Sequence, residues 1–136
     1  MKALEAAARR GVDVHLILPG HTDSWLAFNA GRSFYEDLLE AGVKIHERNV
    51  RLLHAKTATV DGVWSTVGST NLDWRSLAYN DELNVVVLGT EFARQLDALF
   101  AKDVGDSTEI TVESWRNRSL QARIQEIAAR MTAQAL

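Results

Sequence analysis

The chain has 136 residues, 46% of them hydrophobic and 24% charged, with a net charge of −3, one proline and no cysteine. This size and composition fit one globular domain and exclude a disordered or disulfide-stapled protein. The negative charge argues against broad nucleic-acid binding. The longest apolar run, residues 85–88, is too short to cross a membrane, so we expect this chain itself to be soluble.

Apolar periodicity predicts alternating helices and strands. The predicted elements are a helix at 2–10, a strand at 12–18, helices at 22–30 and 33–42, a strand at 43–48, two hairpin strands on either side of 61–62, a strand at 82–88 and a helix at 90–102. This order favours an α/β fold with a mixed, largely parallel sheet flanked by helices. We expect residues 1–136 to form a single domain, with a C-terminal helical tail at 112–136 made of two amphipathic pieces.

The segment HAKTATVDGVWSTVGSTN, residues 54–71, concentrates the reactive side chains. His54, Lys56 and Asp61 fit the pattern H-x-K-x4-D, and the tetrapeptide GSTN follows after six residues. Residues two apart on a strand face the same side, so the sequence predicts that His54 and Lys56 present an imidazole and an ammonium group to one pocket. Asp61-Gly62 is a dipeptide of tight hairpins, which would return the chain to His54.

This set of groups suits chemistry at a phosphoryl centre. A histidine acts as nucleophile or proton donor, and a lysine neutralises non-bridging oxygens. Ser69 and Asn71 would add neutral donors to the same anion. A His-x-Lys pair alone is usually only a solvated strand edge, but the complete pattern should arise by chance about once in a million placements. The sequence therefore favours a catalytic site.

The segment resembles the HKD motif of the phospholipase D superfamily. Its continuation, GSTNLDWRSLAYNDELNVVV, resembles the second HKD half of bacterial cardiolipin synthases, where G-S-x-N-x-D-x-R-S precedes N-x-E-x-N. The stretches RGVDVHLILPGHTDS, SFYEDLLEAGVKIHE and ESWRNRS match the same half. Asp73, Arg75 and Ser76 favour the synthase branch over the small phospholipase D-like nucleases.

The resemblance implies a phospholipase D-like α/β sandwich, in which two HKD halves face each other across one active site without a metal or other cofactor. One histidine would attack phosphorus to form a phosphohistidine, and the other would protonate the leaving alcohol. His54 would be the acid and later the base, while Lys56, Ser69 and Asn71 would hold the phosphate. Glu82 would accept a hydrogen bond from the catalytic imidazole and fix its tautomer.

Three residues of the motif region have two interpretations each. Asp61 belongs to the signature and is grouped with the catalytic residues, although its hairpin position favours a structural role. Trp74 is a candidate for the rim of an acyl or glycerol pocket, or a packing residue. Arg75 is a candidate second phosphate contact, or the partner of an internal ion pair with Asp73 or Glu82.

Other polar side chains give weaker signals. His15, His21 and His46 lie too far apart in sequence for a local metal motif and are predicted to be ordinary surface or core residues. The arginines of the C-terminal segment could contact anionic lipid, although the interspersed glutamates favour a solvated helix face. These arginines are Arg116, Arg118, Arg123 and Arg130.

Cardiolipin synthases carry two HKD motifs and usually N-terminal membrane helices, whereas this sequence contains one motif and no such helix. We therefore expect either the C-terminal half of a two-motif protein or a chain that pairs with itself, and an isolated half should be inactive. The expected activity is phosphatidyl transfer between phosphatidylglycerol molecules at a membrane surface, on the cytoplasmic face of the bacterial inner membrane in the full-length protein. The alternatives are a homodimeric phosphodiesterase or nuclease, and a non-catalytic half. Nucleic acid is not an expected partner.

Overall fold

A computed structural model describes residues 1–50, 52–73, 76 and 78–134, which divide into two compact units. The first unit comprises Met1–Leu52 with Asp106–Leu136, and the second comprises Leu53–Gly105. The elements in chain order are α1 (Lys2–Arg9), β1 (His15–Pro19), α2 (Trp25–Arg32), α3 (Tyr35–Glu40), β2 (Lys44–Arg48), β3 (Thr57–Val60), β4 (Trp64–Gly68), β5 (Asn84–Leu88), α4 (Thr90–Gly105), β6 (Ser107–Ile110), α5 (Val112–Arg116) and α6 (Leu120–Gln134). Within the described ranges, no helix combines the length and apolar composition needed to cross a bilayer.

The first unit is built on a three-stranded sheet of order β1-β2-β6. Strand β1 runs parallel to β2, and β6 runs antiparallel to it, with Ile45 opposite Ile110. Its core consists of six side chains that are at most 9% exposed: Tyr35, Leu38, Leu39, Val43, Ile45 and Trp115. The rings of Tyr35 and Trp115 lie 4.9 Å apart. The C-terminal segment therefore contributes to the core of this unit through Trp115.

Buried charges tie α6 to the rest of the first unit. Arg118 Nε lies 2.9 Å from Glu126 Oε2, and Arg32 Nη1 lies 2.7 Å from Glu47 Oε1. A longer contact of 3.7 Å joins Arg32 Nε to Glu126 Oε1. Burial raises the pKa of the Glu47 carboxyl, and the neighbouring Arg32 opposes that shift. Because an unpaired buried carboxylate is costly, these arginines allow both glutamates to be buried.

The second unit is an antiparallel sheet of order β3-β4-β5 with α4 on one face. A tight turn joins β3 to β4, with φ of 53° at Asp61 and 63° at Gly62. Thr59 Oγ1 donates a 2.6 Å hydrogen bond to Asp97 Oδ1 on α4, and Ser65 on the same sheet face is fully buried. Thr59 and Ser65 are paired across the hairpin, so α4 covers the face that carries them.

The predicted α/β class is confirmed, and most predicted elements lie within a few residues of the observed ones. The expected largely parallel sheet is wrong: among the described strands one pair is parallel and three are antiparallel. The β3–β4 pair was expected as a hairpin, because its turn is too short for the crossover that parallel strands need. The unexpected antiparallel pairs are β4–β5 and β2–β6. Strand β6 was not predicted, because its sequence STEI lacks an apolar alternation.

Candidate functional site

His54 and Lys56 lie immediately before β3, not on it as the sequence predicted, because the strand begins at Thr57. The carbonyl of Lys56 nevertheless accepts a 3.0 Å hydrogen bond from the Gly68 N–H, which extends the hairpin ladder by one pair. Lys56 Nζ donates to the His54 carbonyl oxygen at 3.0 Å, and the His54 residue is exposed. Lys56 is therefore anchored at the open end of the hairpin, with His54 next to it in the chain.

Ser69 is held against the chain that enters β5. Its N–H donates to the Leu83 carbonyl at 3.0 Å, and its Oγ accepts from the Leu83 N–H at 3.0 Å. The Ser69 hydroxyl in turn donates a short hydrogen bond to Glu82 Oε2. Because a hydroxyl has a single proton to donate, that proton is directed at the Glu82 carboxylate.

Glu82 is the centre of this polar cluster. The hydrogen bond from Ser69 is the largest of the effects that hold the pKa of the Glu82 carboxyl below its usual value. The hydroxyl of Ser76, the Asn80 amide at 3.4 Å and the positive charge of Lys56 lower this pKa further. Ser76 is buried, and its hydroxyl acts on Glu82 without forming a hydrogen bond to it. Glu82 is therefore ionised at neutral pH.

Asn84, a residue without a predicted role, holds the segment that carries Ser69. Its Nδ2 donates to Thr70 Oγ1 at 2.6 Å, and its Oδ1 accepts from the Thr70 N–H at 3.5 Å. A Cβ on Gly68 would lie 1.8 Å from Asn84 Oδ1 and 2.4 Å from the Leu83 carbonyl oxygen. Only glycine permits this close approach. The signal available in the sequence was the second asparagine of N-x-E-x-N.

The structure joins Ser69 to Glu82 by a hydrogen bond, and the charge of Lys56 is close enough to lower the pKa of Glu82. The hydrogen bonds that Glu82 accepts from described residues come from Ser69 and Asn80, whereas the resemblance implied a bond from an imidazole. Asn71 follows this cluster in an exposed position.

Three predicted residues stand apart from the cluster. Asp61 lies in the turn at the far end of β3, whose four residues span about 13 Å. Its positive φ of 53° is one that aspartate and asparagine tolerate better than most residues. Trp74 and Arg75 lie outside the described residues, so their roles stay predictions.

His15 and His46, far apart in sequence, meet on the neighbouring strands β1 and β2. His15 Nδ1 lies 3.4 Å from His46 Nε2, and Asp13 Oδ1 lies 3.2 Å from His15 Nε2. Burial, and then the positive charge of a protonated His15, lower the pKa of His46. In the described part of the chain, no three side chains are grouped to hold a metal ion. The parallel pairing of β1 with β2 brings the two histidines together, and their spacing in the sequence does not predict the contact.

Comparison with known proteins supports the same interpretation of the motif. Residues 1–104 match the family model described as cardiolipin synthase, PLD-like domain. The chain is 43% identical over 124 residues to cardiolipin synthase A of Proteus mirabilis, a match that covers 91% of this chain and 26% of that protein. It is 38% identical over 136 residues to cardiolipin synthase 2 of Bacillus anthracis, covering 100% of this chain and 26% of that protein.

The fold is also known from a crystal structure. Nuc, a phospholipase D family member from Salmonella typhimurium, matches with a TM-score of 0.67 and 22% identity, over 81% of this chain and 72% of that one. This likeness confirms the fold. The chain spans about a quarter of the length of the curated relatives it matches. With the family model covering most of its residues, the chain belongs to the PLD-like domains of the cardiolipin synthase family.

Proposed function

We propose that this chain is one catalytic half of a phosphatidyltransferase that makes cardiolipin from two molecules of phosphatidylglycerol. The observation that carries the proposal is the convergence of Lys56, Ser69 and Glu82 at the open end of the hairpin, with His54 two residues before Lys56. A cation, a hydroxyl and an ionised carboxylate beside an exposed imidazole suit phosphoryl transfer. Relatives that match the whole chain and are named cardiolipin synthases support the choice of substrate.

The proposed reaction has two displacements at phosphorus. A histidine of a second HKD half attacks the phosphorus of phosphatidylglycerol, and glycerol leaves with the proton of the His54 imidazolium. The now neutral His54 then takes the proton of a terminal hydroxyl on a second phosphatidylglycerol. That oxygen attacks the phosphohistidine, forms cardiolipin and releases the nucleophilic histidine. The second half is either another part of a longer protein or a second copy of this chain.

Lys56 would neutralise the non-bridging oxygens while charge builds up on them. Ser69 and Asn71 would donate hydrogen bonds to the same oxygens. Because the Ser69 proton points at Glu82 in the structure, binding of a phosphate by Ser69 would break that bond. We infer that Glu82 holds the hydroxyl in place until the phosphate replaces it. The remaining partners in this proposal are a phospholipid and a membrane surface, on the cytoplasmic face of the bacterial inner membrane.

The experiment is product analysis on phosphatidylglycerol vesicles. This chain would replace the matching segment of cardiolipin synthase A of Proteus mirabilis, so that a complete two-half enzyme is tested. His54→Ala should abolish both cardiolipin formation and release of phosphatidic acid, whereas His21→Ala, at an exposed histidine of the first unit, should keep both. Trp74→Ala should lower the ratio of cardiolipin to phosphatidic acid, because an apolar rim keeps water from the intermediate.

A nucleic-acid substrate tested alongside separates the alternatives. Cleavage of nucleic acid with no lipid product would replace the synthase by a nuclease. Unchanged lipid products in the His54→Ala chimera would contradict the role given to His54.

A further inference from the structure

The backbone N–H groups of residues 68–70 all have acceptors within the second unit. The first two donate to backbone carbonyls at 3.0 Å, and the Thr70 N–H donates to Asn84 Oδ1 at 3.5 Å. A phosphate ester bound here therefore cannot use these three N–H groups in the way that a glycine-rich loop usually binds an anion. Its hydrogen bonds with this segment must come from side chains.

The hydroxyl groups of Ser69 and Thr70 differ in where their protons are directed. The Ser69 proton is donated to the Glu82 carboxylate. Thr70 Oγ1 instead accepts a 2.6 Å hydrogen bond from Asn84 Nδ2. Because an amide nitrogen only donates, the Thr70 oxygen uses a lone pair in this bond and keeps its own proton. In the part of the chain that the structure describes, no acceptor takes this proton, so Thr70 can donate it to a ligand.

Asn84 places the Thr70 hydroxyl beside the other groups of the motif. Gly68 pairs with Asn84 on one side, and its N–H bonds to the Lys56 carbonyl on the other. Directly paired residues project on the same sheet face, so Lys56 and Asn84 share a face on either side of Gly68. The Asn84 side chain occupies the space that a Cβ on Gly68 would need. Thr70 itself lies between the two neutral residues that are proposed to bind phosphate.

The chemistry of the Thr70–Asn84 pair suits a neutral hydroxyl group. Neither side chain is charged, and a hydroxyl donor binds an alcohol oxygen while Lys56 neutralises the phosphate. The glycerol group of phosphatidylglycerol carries a secondary hydroxyl next to the terminal one that reacts. A donor on the terminal oxygen would weaken it as a nucleophile, whereas a donor on the secondary oxygen would only orient the group.

We propose that Thr70, oriented by Asn84, binds the secondary hydroxyl of the glycerol group and thereby favours a polyol over water or a simple alcohol. This inference rests on the proposed function. Because the second displacement reverses the first, the leaving and the attacking glycerol groups would occupy the same position. Thr70 is then a residue that determines specificity, and Asn84 is a positioning residue.

The test compares the binding of two phosphate esters to the 136-residue chain, followed by NMR at the backbone amide of residue 70. Propane-1,2-diol 1-phosphate and propyl phosphate differ only in the secondary hydroxyl. We expect the diol ester to bind about fivefold more tightly, because it gains one hydrogen bond. Thr70→Val keeps the branched shape and removes the hydroxyl, so it should abolish this preference, while Thr70→Ser should keep it.

Asn84→Asp tests the positioning role. A carboxylate in the same place only accepts, so the Thr70 proton would turn to it and the preference for the diol ester should be lost. The matched control is Thr66→Val, because Thr66 is half-buried like Thr70 and lies on β4, where it pairs with Val86. This control should keep the preference. A structural change that weakens the binding of both esters equally leaves the ratio of the two affinities unchanged.

Equal affinity of the wild-type chain for the two esters would overturn the inference but leave the proposed phosphoryl site in place. Binding of neither ester would overturn both. The inference would also fail if Thr70→Val kept the preference, or if Thr66→Val lost it to the same extent. A preference retained in Asn84→Asp would contradict the positioning role of Asn84.

Discussion

At the scale of single residues, Gly68 is where the hairpin meets the chain entering β5. A Cβ there would overlap both the Asn84 side chain and the Leu83 backbone. We expect Gly68→Ala to lower the free energy of unfolding by about 2 kcal/mol or more, because a backbone atom cannot move aside cheaply. Gly31→Ala is the matched control: Gly31 lies in α2 with nothing within 4 Å of the added Cβ, so a gain of about 0.5–1 kcal/mol is expected. Denaturant unfolding measures both changes, and similar values for the two would contradict the close approach at Gly68.

The lowered pKa of Glu82 predicts how the stability of the fold depends on pH. Its folded pKa lies below the ordinary value of 4.5, so the ionised carboxylate stabilises the fold above about pH 4.5. This contribution is lost as the pH falls through the lowered pKa. A carbon-13 NMR titration of Glu82 should show a midpoint below 4.5, which Ser69→Ala raises more than Asn80→Ala does, since Ser69 is the largest cause of the shift. A larger effect from Asn80→Ala would show that the hydrogen bond from Ser69 is not the main cause.

The sequence predicted contacts between residues only where the spacing of those residues along the chain determined the contact. The motif predicted that a tight hairpin returns Gly68 and Ser69 to the neighbourhood of His54, and in the structure the Gly68 N–H donates to the Lys56 carbonyl. The clamp of Asn84 on Thr70 was not predictable, since it depends on side-chain geometry across the two chain segments. The contact of His15 with His46 depends in the same way on the pairing of strands distant in sequence.

At the scale of elements, substitutions of Asp61 in the β3–β4 turn distinguish a structural role of this residue from a catalytic one. Asp61→Asn removes the carboxylate but keeps a side chain that tolerates positive φ, so we expect stability to change by less than about 0.5 kcal/mol. Asp61→Val should cost about 1–2 kcal/mol, because a β-branched residue is strained at φ of 53°. In the chimeric enzyme, Asp61→Asn should retain phosphatidyl transfer. Loss of transfer with unchanged stability would instead assign Asp61 to catalysis.

Helices and strands with a clear local sequence pattern were predicted more accurately than those without one. Helix α1 ends at Arg9, two residues before Gly11, whose φ of 92° suits a residue without a side chain. Strand β6 is polar and short, so its place beside β2 is set by tertiary pairing. The antiparallel pairing of β5 with β4 was likewise not visible in a local pattern.

At the scale of the whole molecule, we expect the isolated chain to self-associate or to be poorly soluble. On the face of the β3-β4-β5 sheet opposite α4, Val60, Val86 and Leu88 are 51%, 53% and 73% exposed. Apolar side chains clustered on one sheet face favour association. Sedimentation velocity at micromolar concentration should show dimers or larger species, and Leu88→Glu should reduce them more than Leu99→Glu on α4. A monodisperse wild-type monomer would contradict the prediction.

The claim on which the proposed function depends is that His54, Lys56 and Ser69 form a phosphoryl-binding site. The most direct test is an NMR titration of the chain with orthovanadate, followed through the imidazole signals and the Glu82 carboxyl signal. We predict saturable shifts at His54 but not at His21, a higher pKa of Glu82 as the Ser69 hydroxyl turns to the anion, and binding about tenfold weaker in Lys56→Ala. Equal shifts at His21 and His54, or unchanged affinity in Lys56→Ala, would contradict the account.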